Sequence, residues 1–323
     1  MAGEVEIGLP RMRYDITMPL FEGRVPIDGF QLQPIAPTMP MVFADMPKLR
    51  TGDFDLWELN LGYLLPALEA GWEFVTLPLF VKRKPVYPLI FVRADGGITT
   101  PSDINGKRVG SRTYSTGLTI WFRGLLGQYH GVDLQSLKWQ LAGKDFFPLV
   151  NGAPDAGPLD GKKNPADWLL DGDVDVLITD VSDAKLFERL ENEDRIRRLF
   201  PDYQAEDLRL VNETGIYTPA HAIVMSTRLD SEHPELAGEL VAAFQEAKRL
   251  AEDDMLSDKG GFALIYQRER LKEQQAIWGD PFAYGIRANR STIDHFVRYN
   301  VEQGLIRDRM SDHHIFARSS LDS

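Results

Sequence analysis

The sequence contains no cysteine. This absence excludes a thiol nucleophile, a zinc site with thiolate ligands and structural disulfides. No stretch approaches the roughly 20 uninterrupted apolar residues that a membrane-spanning helix requires, so we expect no membrane contact. No run of lysine and arginine is dense enough for a cationic groove, and the formal net charge is -12, so a nucleic-acid partner is disfavoured.

The composition of the 323 residues is typical of a globular protein, with 43% hydrophobic and 26% charged residues. A chain of this length buries roughly 75% of the surface that it exposes when unfolded, so it forms cores without disulfides or a structural metal. Its first residues are acidic, and Pro10 soon follows, whereas a secretory signal has a basic start and an apolar stretch. We therefore expect a cytoplasmic protein, and a homo-oligomer remains open.

Short apolar runs bounded by turn residues alternate with segments of helical period, which predicts an α/β protein. Strands are expected at 5–9 or 12–14, 54–59, 77–80, 87–92, 107–110 and 174–179. Helices are expected at 39–51, 63–70, 166–170 and 231–250, with Ser231 as the cap of the last one, and a further helix opens at 114–117 and runs to about 129. Residues 143–165, rich in Gly, Pro, Asp and Lys, read as a long surface loop.

Ligands of open α/β sheets lie beyond the strand ends, so polar residues there are the first candidates for a site. The segment Tyr114, Ser115, Thr116 opens a helix, where free backbone N–H groups and hydroxyls suit an anion. The alternative is that Ser115 or Thr116 simply caps the helix. The other candidate ligand contacts beside predicted strands are Asp15, Asn60, Arg83, Tyr87 and Tyr217.

Three residues are candidates for acid–base chemistry. His221 precedes an apolar run, Glu58 stands in an apolar strand, and Asp180 follows a strand. Two of them have a structural alternative: His221 as a hydrogen-bonded core residue, and Asp180 as the cap of the next helix. Arg83 can pair with a substrate carboxylate, or it belongs to a solvated basic turn. No zinc, phosphate-loop, dinucleotide or nucleophile motif is present.

Several segments are distinctive in residue content and order. They are 14–15 with 19–20 and 23, 100–110, 121–126, 197–203, 214–216 with 221, 247–251, 284–290, 298–299 and 302–305. Their order resembles the 4,5-dihydroxyphthalate decarboxylase family, which has the type 2 periplasmic-binding-protein fold. The resemblance implies an α/β protein of two lobes, each with a mixed sheet, and a ligand cleft between them. It assigns 1–92 and 221–323 to lobe 1 and 93–220 to lobe 2, with hinge crossovers near 87–93 and 217–222.

Family members commonly carry cations where this chain has Ile16, Met18, Val86 and Tyr87. These neutral residues predict a less charged aromatic or heterocyclic substrate than a phthalate.

The resemblance implies an enzyme of aromatic catabolism, a lyase that decarboxylates a hydroxylated aromatic acid without an organic cofactor. In this hypothesis His221 is the acid, and Glu58 or Asp180 orients it. Arg83 and the helix start at 114–116 hold the carboxylate, and Tyr114 and Tyr217 pack on the ring. One alternative is hydrolysis or another lyase reaction on a neutral heterocycle, with a divalent metal on His221 and nearby carboxylates. Another is a solute-binding protein without catalysis.

Overall fold

The computed structural model describes residues 5–10, 14–35, 46–150, 156–180, 183–257 and 264–323. The strands in these ranges are β1 (Val5–Pro10), β2 (Phe30–Ile35), β3 (Leu56–Asn60), β4 (Phe74–Arg83), β5 (Ile90–Arg93), β6 (Arg108–Ser111), β7 (Lys138–Leu141), β8 (Ala156–Pro158), β9 (Val176–Ile178), β10 (Ile196–Arg198) and β11 (Pro219–Ser226). They form a parallel pair, β1 with β2, a three-stranded sheet and a six-stranded sheet.

The helices surround these sheets. They are α1 (Met18–Phe21), α2 (Met46–Thr51), α3 (Leu61–Glu69), α4 (Gly117–Tyr129), α5 (Pro165–Leu170), α6 (Ala184–Asn192), α7 (Tyr203–Thr214), α8 (Thr227–Glu232), α9 (Leu236–Leu256), α10 (Gln267–Trp278), α11 (Arg290–Glu302) and α12 (Asp312–Ile315). Short 3-10 turns lie at Asp15–Thr17, Tyr87–Leu89, Pro101–Ile104, Leu134–Ser136 and Arg318–Ser320. None of the described helices is long and apolar enough to cross a membrane.

The three-stranded sheet has the order β3-β11-β4, with β11 antiparallel to both neighbours. Its central strand reads Pro-Ala-His-Ala-Ile-Val-Met-Ser, and residues 222–226 are buried. Such a charge-free run is expected for a strand that is covered on both faces. The pairing of β11 with β4 is irregular around His221, where the register shifts on either side.

The six-stranded sheet has the order β10-β5-β9-β6-β7-β8 and is mixed. β6 pairs in parallel with β7 and β9, whereas β5 pairs antiparallel with β9 and β10. The chain enters this sheet at β5 and returns to the three-stranded sheet at β11. The six-stranded sheet therefore begins at Ile90, the first residue of β5. The lobe boundaries at 92/93 and 220/221 remain a prediction.

The C-terminal helices pack back onto earlier parts of the chain. α9 lies against the 3-10 turn at Asp15–Thr17 and against α1, and α11 lies against α4. At the second contact Gly124 is required, because a Cβ atom there would lie 2.2 Å from the ring of Tyr299. The C-terminal helices therefore pack on the N-terminal turn and α1, and on the central helix α4.

Four sequence expectations need correction or fall partly outside the described ranges. The helix expected at 231–250 is two helices, because α8 ends at Glu232, Pro234 follows, and α9 begins at Leu236, so Ser231 caps nothing. The expected loop at 143–165 contains β8 and the start of α5. Parts of the helix expected at 39–51 and of the strand alternative at 12–14 lie outside the described residues, which show α2 from Met46.

Asp207 on α7 gives the fold a specific pH dependence. Burial, and then the charge of Glu206, raises the pKa of Asp207 to about 7. The unfolded pKa of an aspartate is about 3.9, so this stabilising protonation is complete below about pH 4 and is lost as the pH rises through about 7. Asp207→Asn should therefore raise the thermal unfolding temperature at pH 8, and the gain should shrink toward pH 5. The same gain at both pH values, or an equal gain from the exposed Asp194→Asn, would contradict this assignment.

Candidate functional site

The buried carboxylate of Glu58 joins two other side chains. Tyr14 donates a hydrogen bond from its hydroxyl to Oε1 of Glu58 at 2.7 Å, and Nδ1 of His221 pairs with the same oxygen. Strand pairing produces this meeting, because β3 and β11 align His221 with Asn60 and Ile223 with Glu58. Side chains at paired and alternate positions share one face of a sheet. The sequence placed Glu58 and His221 in separate strands, and the register brings them together.

The protonation states of this cluster follow from its contacts. Burial alone would raise the pKa of Glu58, but the bonds from His221 and Tyr14 and the charge of Lys82 together hold it below its ordinary value. Burial, and then the charge of Glu58, raises the pKa of Tyr14. At neutral pH Glu58 is therefore a carboxylate and Tyr14 a protonated donor.

Because a carboxylate only accepts hydrogen bonds, Nδ1 of His221 carries the hydrogen of the Glu58 contact. Nε2 is then the ring atom that gains or loses the second proton. The side chain of His221 is 24% exposed, against 10% for Glu58, so the imidazole reaches solvent while its partner does not. This arrangement suits a proton donor or acceptor that acts on a bound molecule through Nε2.

Two lysines lie where β4 pairs with β11. Lys82 on β4 is paired with His221 across the strands. Lys84, the residue after β4, exchanges hydrogen bonds with Thr218, the residue before β11. The ammonium of Lys84 lies 4.0 Å from Oδ2 of Asp180, which follows β9 in the six-stranded sheet. Burial lowers the pKa of Lys84, and the charge of Asp180 partly restores it. The structure thus makes Asp180 a neighbour of Lys84, and the next helix is capped by Asp183 instead.

The helix start at 114–117 binds protein groups. The carboxylate of Asp145 accepts from the N–H and the hydroxyl of Ser115, at 2.7 and 2.6 Å, and from the N–H of Tyr114 at 3.3 Å. Thr116 caps α4 by accepting from the N–H of Thr119 at 3.2 Å. The carboxylate of Asp145 therefore occupies the predicted anion site. Thr116 caps the helix, as the structural alternative predicts.

Asn60 connects this helix start to the three-stranded sheet. Its Oδ1 accepts from the N–H of Gly62 at 2.9 Å, capping α3, and from the N–H of Gly117 at 3.3 Å. A Cβ atom on Gly62 would lie 2.0 Å from the carbonyl oxygen of Ser115. Because only glycine permits this approach, the starts of α3 and α4 are in direct contact. Asn60 is thus a structural link, with its carbonyl oxygen already engaged.

The guanidinium of Arg83, which the sequence predicts to hold a substrate carboxylate, is engaged by protein acceptors. It donates to the carbonyl oxygens of Tyr217 and Ala283, at 2.5 and 3.1 Å, and to Oδ1 of Asn289 at 2.6 Å. Burial lowers the pKa of Arg83 to about 10. Because successive residues of a strand point to opposite faces, Arg83 lies on the other face of β4 from Lys82.

The predicted aromatic contacts also differ. Tyr87 is 0% exposed, bonds through its hydroxyl to His130 and packs on Phe200, so it belongs to the core. Tyr217 donates its hydroxyl to the carbonyl oxygen of Trp278, at the end of α10.

Tyr114 and Asp15 remain partly accessible to solvent. Tyr114 is half-buried and stacks over the guanidinium of Arg123, whose central carbon lies 3.5 Å from the ring centre. Asp15 is exposed, and its carboxylate accepts from the N–H of Ile16. Within the described ranges, no group of three or more His, Asp and Glu residues is arranged to hold a metal ion.

A family model described as ABC transporter, phosphonate, periplasmic substrate-binding protein matches residues 48–263. This match covers more than half of the 323 residues and includes Glu58, Asp180 and His221. The chain belongs to this family.

Two curated relatives are named 4,5-dihydroxyphthalate decarboxylase. The one from Comamonas testosteroni is 26% identical over 332 residues, which cover 99% of this chain and 98% of the relative. The one from Pseudomonas putida is 30% identical over 174 residues, which cover 50% of this chain and 64% of the relative. The resemblance found in the sequence segments is thereby confirmed.

Among solved structures, the periplasmic aliphatic sulphonate binding protein from Escherichia coli is similar, with a TM-score of 0.52 at 14% identity and 100% of both chains covered. At this identity the likeness concerns the fold alone. Together with the family match and the mixed α/β sheets in two lobes, it confirms the predicted periplasmic-binding-protein-like fold class.

Four residues of the site region were missed or given no role in the sequence. Tyr14 occurs in a resembling segment, yet no local pattern shows that it reaches Glu58. Lys82 and Lys84 flank Arg83, and the period of two in a strand is the signal that separates Lys82 from Arg83. Asp145 lies 30 residues from Ser115 in a segment without regular structure, so nothing in its local sequence predicts the contact.

Removing the guanidinium of Arg83 tests its structural assignment. Arg83→Gln should reduce the free energy of unfolding by at least about 2 kcal/mol, because buried carbonyl oxygens lose their donors. It should change the binding of a carboxylated ligand and of its neutral analogue by the same factor. Urea unfolding and calorimetry measure the two effects. Unchanged stability with a selective loss of the carboxylated ligand would restore the carboxylate clamp.

The Asp145 contact predicts a second stability effect. Asp145→Ala leaves the buried N–H and hydroxyl of Ser115 without their acceptor, so we expect a loss of about 1–3 kcal/mol in the free energy of unfolding. Asp194→Ala, a matched change at an exposed position, should have almost no effect. Equal urea midpoints for the two variants would show that the Asp145 contacts contribute nothing.

Proposed function

We propose that the protein is a non-oxidative decarboxylase of a hydroxylated aromatic acid, with His221 as the proton donor. The observation that carries this proposal is the pairing of a partly exposed imidazole with a buried carboxylate through Nδ1, which leaves Nε2 for the reaction. The names of the relatives, the first of which aligns over 99% of this chain, support the reaction type.

The chemistry requires one proton and no redox step. A ring hydroxyl supplies electrons, and the carbon bearing the carboxylate accepts a proton from Nε2 of His221. The bond between this carbon and the carboxylate then breaks, its electron pair restores the aromatic ring, and carbon dioxide leaves. His221 regains its proton from water, which completes the cycle.

Glu58 supports this step electrostatically. Its negative charge stabilises the protonated imidazole before transfer and holds the ring in one orientation. Tyr14 fixes the carboxylate oxygen from the other side by its 2.7 Å hydrogen bond. In this scheme Glu58 and Tyr14 are positioning residues, and His221 is the group that contacts the substrate.

A second candidate is a solute-binding protein without catalysis. The family match and the similarity to a sulphonate-binding protein favour it. Both candidates predict ligand binding, so only turnover distinguishes them. A thermal-shift screen with hydroxylated benzoates, phthalates and neutral N-heterocycles identifies ligands, because any compound that binds the native state raises its apparent stability. Carbon dioxide release from a stabilising acid then supports the decarboxylase, and binding without release supports the solute-binding protein.

Once a substrate acid is found, His221→Ala should reduce kcat by about 10²-fold or more, because general acid catalysis contributes 10²- to 10⁴-fold. Glu58→Gln should reduce kcat less, since the imidazole remains but loses its anionic partner. His313→Ala, at an exposed histidine, serves as the control and should retain full activity. A folded His221→Ala variant with wild-type turnover would remove His221 from the mechanism.

A further inference from the structure

We infer that Lys84 binds an anionic group of the substrate in competition with Asp180, so that this pair determines the preference for charged over neutral ligands. The inference deepens the proposed function and rests on it for the substrate class. It also reverses the expectation of a less charged substrate, since Lys82 on β4 and Lys84 directly after it stand in for the cations that the sequence lacks at 16, 18, 86 and 87.

The position of Lys84 directly after β4 supports this inference. Lys84 donates its backbone N–H to the carbonyl oxygen of Thr218 at 3.0 Å and accepts from the Thr218 hydroxyl at 2.6 Å. Lys82, two residues earlier, is paired with His221. These contacts hold the backbone of Lys84 beside the segment that leads into β11, three residues before His221.

The state of the ammonium is the second support. The side chain of Lys84 is only 16% exposed, and burial lowers its pKa, so the charge is partly desolvated. The carboxylate oxygen of Asp180 is 4.0 Å away, which is beyond hydrogen-bond range. An ammonium has three donors, and a carboxylate of a ligand at 2.7–2.9 Å would pair with it more strongly than Asp180 does at this distance.

The location of Asp180 is the third support. Asp180 belongs to the connection after β9 of the six-stranded sheet, whereas Lys84 belongs to the connection after β4 of the three-stranded sheet. Its side chain is 47% exposed, so solvent screens its attraction to Lys84. The positive charge of Lys82, which also acts on Glu58, makes this part of the site more attractive to an anion.

Calorimetry with 3,4-dihydroxybenzoate and the neutral 3,4-dihydroxybenzamide tests the inference without requiring turnover. Asp180→Asn should tighten the Kd of the benzoate by about two- to fivefold, as expected for a partly exposed ion pair, and leave that of the benzamide unchanged. Lys84→Gln should weaken the benzoate selectively, and Lys84→Arg should retain the preference. In the double variant, Asp180→Asn should no longer matter.

Lys138→Gln and Asp194→Asn make the same charge changes at exposed positions. They control for the effect of net charge on the electrostatic potential of the whole protein. Three results would overturn the inference. The benzoate does not bind, the substitutions affect both ligands equally, or the effect of Asp180→Asn persists in the Lys84→Gln background. If the selective pattern appears but carbon dioxide is never released, Lys84 is the anion site and the decarboxylase proposal fails. If carbon dioxide is released but the selective pattern is absent, the inference about Lys84 fails and the decarboxylase proposal stands.

Discussion

The carboxylate of Glu58 accepts from Tyr14 and pairs with His221 at one oxygen atom, and this contact joins β3, β11 and the turn that follows β1. A buried charge is costly unless hydrogen bonds and opposite charge compensate it. Here two donors and the nearby ammonium of Lys82 supply that compensation and keep the group ionised. The ionised state in turn determines which nitrogen of His221 faces the substrate side, so the chemistry that the site can perform follows from the burial of a single carboxylate.

A second constraint relates the two sheets. The starts of α3 and α4 touch at Gly62 and Ser115, and Asn60 accepts hydrogen bonds from both helices. Asp145 reinforces this contact from the other side, and the neighbouring Phe147 packs on Trp72 at a ring distance of 5.3 Å. These interactions occupy the polar groups of the helix start. We therefore infer that a substrate anion binds at Lys84, directly after β4, and not at the helix start.

Much of this architecture was predictable from the sequence because the relevant signals are local. Glu58 and His221 are polar residues in apolar strands, and an unpaired polar side chain in such a strand is costly, so a partner was expected. The fold class was predictable from the resembling segments. The contacts of Arg83 and Tyr87 were not predictable, because side-chain direction depends on strand bounds and on the irregular pairing around His221, which composition does not reveal. The contacts of Tyr14 and Asp145 join residues 44 and 30 positions apart, and only the folded chain shows them.

The central claim is that His221 delivers a proton to the carbon from which carbon dioxide departs. The most direct measurement is proton NMR of the product formed in deuterium oxide from a hydroxylated aromatic acid that the protein decarboxylates. The account predicts one deuterium at the carbon that carried the carboxylate, formed with the wild-type protein and lost, together with the product, in His221→Ala. Equal deuterated product from His221→Ala, or product without deuterium at that carbon, would contradict it.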